Sequence, residues 1–183
     1  MTVQEIKNLA LLLCGQGDIP DTYVFMYINK AMNNLALKYD EAGKKVTQTI
    51  SATKNTWIDL TSCLSIKRCL LNGEVYDNYL YENGQIKFPI TKDFDIEYIT
   101  YHDKVTALVD TPGIHEAFHE AIANYVAYRE MTRIFMHEDL TEGNNKTLLL
   151  AEYNREAELA SAKLRTMKKS RQRIKYAPMI WGD

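Results

Sequence analysis

The hydrophobic positions of the first forty residues follow the helical period of 3.6. Thr2 and Glu5 have capping-box spacing, which predicts a helix over about 2–14 that ends at Gly15. A second helix over about 22–39 is predicted by apolar residues at helical spacing, namely Val24, Ile28, Ala31 and Leu35. The short connection between them predicts an antiparallel helix pair.

Between about 46 and 102 the pattern changes to the two-residue period of strands. The segments 46–53 and 57–60 are rich in β-branched and aromatic residues. Asn72-Gly73 and Asn83-Gly84 supply the two positive-φ residues that a type I′ hairpin turn needs. The strands expected around these turns form a small antiparallel meander over 66–71, 74–81 and 85–88, and a further strand is expected over 95–102.

The helical period returns after Pro112, where a missing amide donor costs little at a helix start. Helices are predicted over about 113–136 and 145–167. The predicted fold class is therefore mainly α with a β insertion (α+β): a four-helix bundle carrying a small antiparallel β-meander and an extended C-terminal arm. Residues 1–167 are predicted to form a single domain, and 168–183 the arm.

Composition narrows the class of protein without naming a function. The 183 residues are 46% hydrophobic and 25% charged, as in ordinary globular proteins. No apolar stretch reaches the roughly 20 residues that cross a bilayer, and no secretory signal pattern opens the chain, so we expect no membrane partner and no export. Three cysteines without metal-type spacing indicate buried side chains and no disulfide framework.

The charge is divided unevenly along the chain. Residues 1–162 carry a net charge of −8, whereas 163–175 hold seven basic residues and no acidic one. A helix dipole favours cations only in the last turn, so it does not account for the whole run. The basic run is followed by large apolar residues, which a disordered tail normally lacks. We therefore predict a partner-binding arm made of Lys168, Lys169, Arg171, Arg173, Lys175, Tyr176, Met179, Ile180 and Trp181.

A possible zinc motif lies in the third predicted helix. His115, Glu116 and His119 read H-E-x-x-H, in which two imidazoles one turn apart hold zinc and the glutamate acts as general base. Catalytic zinc needs a third protein ligand, and the extended motif fails because Ile122 and Tyr125 stand where Gly and His belong. We predict no catalytic residue, no metal and no cofactor, and interpret the motif as part of a packed helix.

The order of elements resembles the head–tail connector (adaptor, or tail-tube A-like) proteins of tailed bacteriophages. The resemblance rests on the helix pair around 21–37, the strand 55–60, the Asn-Gly meander, the strand 96–101 and the Pro-led segment 111–125. It covers nearly the whole chain but includes no diagnostic invariant motif.

This resemblance implies a structural virion protein, made in the host cytoplasm and located at the neck of the particle. Its subunits would form a homo-oligomeric ring, typically twelvefold, that binds the portal protein through the C-terminal arm. The opposite face would receive the next tail or ring component, and DNA would pass through the lumen without specific binding.

Three alternatives stay open at this level. One is a zinc-dependent metallohydrolase that uses His115, Glu116 and His119. The second is a nucleic-acid-binding protein that uses the basic C-terminal tail, whose affinity would depend steeply on salt. The third is another ring or tail-completion protein of similar build at a different position in the virion.

Overall fold

The computed structural model describes residues 1–60, 62–134 and 143–175, with backbone alone at 143–144 and from 169 onward. The chain divides into two compact units. Unit 1 comprises Met1–Ala31 and the chain from Val105 onward, and unit 2 comprises Met32–Lys104.

Helix α1 of unit 1 spans Val3–Cys14, and its two ends form as the sequence predicts. The Thr2 hydroxyl accepts from the Glu5 amide at 3.2 Å, and the Glu5 carboxylate accepts from the Thr2 amide at 2.7 Å. The helix ends at Gly15, whose φ of 65° lies in the left-handed region that glycine adopts without steric cost. Helix α2 spans Asp21–Lys38, beginning in unit 1 and ending in unit 2.

Helix α3, His119–Ile134, is the centre of unit 1 and packs against both α1 and α4, which spans Gly143–Lys175. Because it has neighbours on two sides, its buried face is wide and includes Ala121, Ile122, Ala123, Val126 and Ala127. The small alanines allow close approach of the neighbouring helices. A short 3₁₀ turn, Glu116–Phe118, precedes α3, so the regular helix begins later than the predicted residue 113.

The described residues of unit 2 form seven strands in two antiparallel sheets. The four-stranded sheet has the order β1-β7-β3-β4 and the three-stranded sheet the order β2-β6-β5. The strands are β1 Lys44–Ala52, β2 Trp57–Asp59, β3 Cys63–Leu71, β4 Glu74–Val75, β5 Leu80–Glu82, β6 Gln85–Lys87 and β7 Lys92–Thr100.

Both Asn-Gly pairs make the predicted two-residue hairpins. Asn72 and Gly73 have φ values of 53° and 84° and join β3 to β4, with Leu71 opposite Glu74. Asn83 and Gly84, at 51° and 79°, join β5 to β6. Two positive φ angles in succession are the requirement of a type I′ turn, which is why this dipeptide predicted both turns.

The predicted fold class is wrong in its main feature. The described residues form an α+β fold with four helices and two antiparallel sheets, and neither a four-helix bundle nor a single small meander. The segment predicted as one strand over 74–81 is two short strands in different sheets, β4 and β5. The β segment has its own core, in which Phe88 and Phe94 stack with ring centroids 3.8 Å apart, so it is a second packed body.

Candidate functional site

The C-terminal half of α4 extends past the part of the helix that packs in unit 1. Tyr153, Ala157 and Ala160 are buried, and the Tyr153 ring lies 5.1 Å from that of Tyr125 on α3. From Ala162 to Lys168 every side chain is exposed except that of Leu164, which is partly buried. The helical backbone nevertheless continues to Lys175, about 20 Å beyond the buried Ser161.

The predicted arm divides into a basic part that is helical and an apolar part that lies outside the described residues. Lys168 is exposed on α4, and the backbone of Lys169, Arg171, Arg173 and Lys175 is helical, so this half of the segment continues α4 beyond its predicted end at about 167. The apolar half of the predicted arm lies outside the described residues: Tyr176, Met179, Ile180 and Trp181.

The composition of this segment explains why the helix continues. Lysine, arginine, glutamine and methionine lose little side-chain freedom in a helix. Cations near the C-terminus also interact favourably with the helix dipole, and none of the residues 163–175 is acidic. Apolar residues at helical spacing end at Met167, and the sequence therefore predicts the end of the helix there. A helix needs buried apolar residues only where it packs against a neighbour, so it can continue beyond them.

The H-E-x-x-H segment does not lie on one helix. His115 has an extended backbone, with ψ of 137°, and caps the 3₁₀ turn by accepting the Ala117 amide on Nδ1 at 3.1 Å. His119 is the first residue of α3. The two imidazoles are therefore not placed one α-helical turn apart, which is the geometry that the zinc interpretation requires.

The His119 ring is buried, with 2% of the residue exposed, and both of its nitrogens have partners. The Met1 ammonium lies 2.9 Å from Nδ1 and can only donate, so Nε2 carries the proton and donates to the Ile114 carbonyl at 3.2 Å. Burial lowers the pKa of His119, and the nearby Met1 charge lowers it further. This side chain is held as a neutral structural group.

A cleft of about 440 Å³ in unit 1 brings the two histidines beside α4. His115 and Glu116 line one part of it, and Lys163, Leu164 and Met167 line another. Within the described part of the chain, no group of three His, Cys, Asp or Glu side chains is arranged to hold a metal ion. The cleft therefore offers mixed polar and apolar surface next to the projecting helix, without a set of metal ligands.

A cluster of arginine and tyrosine side chains in unit 1 was not predicted from the sequence. The Arg133 guanidinium lies 4.9 Å from the Tyr23 ring centroid, and that of Arg129 lies 5.8 Å from the Tyr27 ring centroid. Glu130, fully buried, accepts from Arg133 at 2.9 and 2.6 Å. The matching i, i+4 spacing of the two tyrosines and of the two arginines was the available signal.

The sequence was compared with the models of known protein families. The model of the SU10 adaptor protein family matches residues 1–180. No curated protein matches the chain. None of the helices in the described ranges is long and apolar enough to cross a membrane.

Proposed function

Because the chain belongs to the SU10 adaptor protein family, a family of phage head–tail adaptors, we propose that it forms the ring that joins the portal to the tail. The family makes the protein a structural component of the bacteriophage virion that contacts other head or tail components. Our proposal adds four points to this: the ring, its twelvefold symmetry, its binding to the portal and the passage of the genome through it.

The observation that carries the proposal is the projecting half of α4. A helix that leaves the packed part of its own unit presents side chains to another molecule without any rearrangement of the core. Lys163, Arg165 and Lys168 are exposed there, and the helix continues through Lys169 to Lys175. We propose that this basic helix and the residues Tyr176, Met179, Ile180 and Trp181 after it bind the portal.

A ring would strengthen such a contact without requiring it to be tight. Each subunit that docks raises the effective concentration of the next arm at the portal, so weak individual contacts add up. The net charge of −8 on residues 1–162 fits a body that passes DNA without retaining it, because a strongly basic lumen would bind the phosphate backbone.

The test compares two arm variants in binding to isolated portal rings from the same phage. One variant ends after Met167, and the other replaces five arm residues with glutamine: Lys168, Lys169, Arg171, Arg173 and Lys175. Glutamine keeps helix propensity while removing charge, so the second variant separates charge from length. We expect the truncation to abolish co-sedimentation with the portal and the glutamine variant to weaken it by at least about tenfold.

A matched control neutralises exposed lysines elsewhere, at Lys54, Lys92 and Lys104, and should leave binding unchanged. Electron micrographs of the wild-type mixture should show one additional ring on the portal. Normal decoration of portals by the truncated protein would refute the assignment of the arm.

A further inference from the structure

Strand β1 forms an open edge of the four-stranded sheet in unit 2. It pairs with β7 over nine consecutive residues, Lys44 to Ala52, without a register shift. Among the described residues, no other strand pairs with its second side. Six of its nine residues are exposed. Half of its backbone amides and carbonyls therefore point away from β7 without a backbone partner in the described part of the chain.

The opposite side of the same sheet is partly covered at both ends of β3. The short strand β4 pairs with Leu70 and Leu71 of β3, and the Cys69 carbonyl accepts the Tyr76 amide at 2.8 Å. At the other end of β3, the Cys63 amide donates to the Leu60 carbonyl and its carbonyl accepts from the Tyr81 hydroxyl. The sheet therefore has contacts at both ends of β3 on this side, whereas β1 has no strand along its second side in the described part of the chain.

Seven of the nine residues of β1 lack the features that proteins use to prevent edge pairing, and its two exposed lysines, Lys44 and Lys45, lie at its start. From Val46 to Ala52 it contains no charged residue and no proline, and its ladder with β7 has no bulge. An edge with a regular ladder and seven consecutive uncharged residues is a template for another strand.

The sequence of β1 is nearly symmetric about Gln48. In an antiparallel pair of two β1 strands centred on this residue, Thr47 meets Thr49 and Val46 meets Ile50. Lys45 meets Ser51 and Lys44 meets Ala52, so no like charges face each other. Paired threonines and paired β-branched residues are favourable cross-strand neighbours. The edge is therefore complementary to a second copy of itself.

We propose that the protein self-associates through β1, which pairs antiparallel with β1 of a second copy across a two-fold axis at Gln48. The product is a continuous eight-stranded sheet. The contact is a single strand ladder, smaller than a standard protein interface, so the dimer is weak and depends on concentration. Ring neighbours are related by a rotation about the ring axis and meet through different surfaces, whereas this contact is isologous. The β1 pairing is therefore expected between subunits that have not assembled into a ring. It does not depend on the proposal that the protein forms a ring.

The register can be tested with single cysteines on the exposed outer face. Thr47→Cys and Thr49→Cys proteins are purified separately and oxidised alone or as a mixture. Directly opposed strand residues have Cα separations within the range that a disulfide spans, whereas diagonal neighbours lie about 7–8 Å apart. We expect a cross-linked dimer in the mixture only. Each variant alone, and the wild type, control for cross-links through the native cysteines.

Charge variants provide a second, independent readout by sedimentation velocity. Thr47→Lys with Thr49→Lys places like charges opposite each other twice and should weaken the dimer by about tenfold or more. Thr47→Lys with Thr49→Glu places opposite charges at the same points and should keep more of the dimer than the first variant, although Thr49→Glu sets a like charge opposite Asp95 of its own sheet. In the folded subunit, positions 47 and 49 lie opposite Glu97 and Asp95 of β7. Two lysines introduced there would face these carboxylates, so loss of the dimer in the first variant would not reflect a weakened sheet.

Three results would overturn the proposal: a wild-type protein that stays monomeric at every concentration, equal cross-linking in the mixture and in either variant alone, or identical behaviour of the two charge variants. None of these results would bear on portal binding through the arm, so the two proposals fail separately.

Discussion

Glu130 shows how a single buried charge is satisfied in unit 1. Its side chain is fully buried in α3, and its carboxylate receives two hydrogen bonds from Arg133, which in turn lies over the Tyr23 ring. The hydrogen bond with Glu130 raises the pKa of Arg133, so the guanidinium stays charged. A buried carboxylate without its partner is costly because the solvation it lost on folding is no longer replaced.

Arg133→Ala should therefore lower the free energy of unfolding by about 2–3 kcal/mol, measured by urea denaturation. The matched control is Arg155→Ala, which removes an exposed arginine that bridges Glu152 and Glu156 on α4 and should cost less than about 0.5 kcal/mol. The double variant Glu130→Leu with Arg133→Met should recover much of the loss, since it leaves no charge buried. Equal costs for the two single variants would contradict this account.

His119 should make the stability of the protein depend on pH. Its pKa in the fold is below the ordinary value of 6.5, because burial and the Met1 ammonium disfavour the charged ring. As pH falls through about 6.5, the unfolded chain binds a proton that the folded chain resists, so stability is lost on acidification. Melting temperatures at about pH 7.5 and 5.5 should fall less in His119→Gln than in wild type. Equal losses of melting temperature in the two proteins would contradict this account of His119.

At the scale of the elements, Gly43 fixes how β1 begins. A Cβ added there would overlap the Cγ2 of Ile99, a buried residue of β7. That methyl is attached at the branched Cβ of Ile99 and cannot swing away, so Gly43→Ala should cost about 1–3 kcal/mol of unfolding free energy. Gly17→Ala, in open space and with no positive φ, should be nearly neutral. Similar thermal melts for both variants would show that the start of β1 adapts.

The elements that the sequence predicted best are those defined by local chemistry. The capping box at Thr2, the end of α1 at Gly15 and the two Asn-Gly turns each depend on residues close in the chain, and each forms as predicted. Strands β1, β2 and β7 also lie where the two-residue period placed them, within a few residues.

The architecture could not be predicted in the same way because it depends on pairing between distant segments. β1 pairs with β7, some fifty residues later, and no local pattern specifies that choice. The 74–81 segment has strand-like residues throughout, yet its two ends join different sheets. The zinc-like segment was placed on a helix because its spacing is helical, while the cap formed by His115 delays the start of the helix.

At the scale of the whole molecule, the described residues contain two cores and a helix end whose side chains from Ala162 to Lys168 are exposed, apart from the partly buried Leu164. Unit 1 buries the faces of its helices around α3, and unit 2 buries the aromatic cluster of its two sheets. Between Ala162 and Lys168, the last residue of α4 whose side chain is described, no side chain is fully buried in either core. As a member of an adaptor family, the protein contacts other virion components, and our proposal assigns the portal contact to this helix end.

If each unit has its own core, a mild core substitution should weaken one unit and spare the other. Phe94→Leu removes the ring that stacks on Phe88 in unit 2, and Ile122→Val removes one buried methyl group from α3 in unit 1. Each should cost about 1–1.5 kcal/mol, which corresponds to about tenfold faster exchange of the slowest amides in the affected unit. Hydrogen exchange should therefore speed up along β7 in the first variant and along α3 in the second.

The two variants control for each other, because a general loss of stability would accelerate both regions in both proteins. That result would mean that the two cores unfold as one cooperative system, so that binding energy gained by the projecting helix would stabilise the sheets as much as the helices.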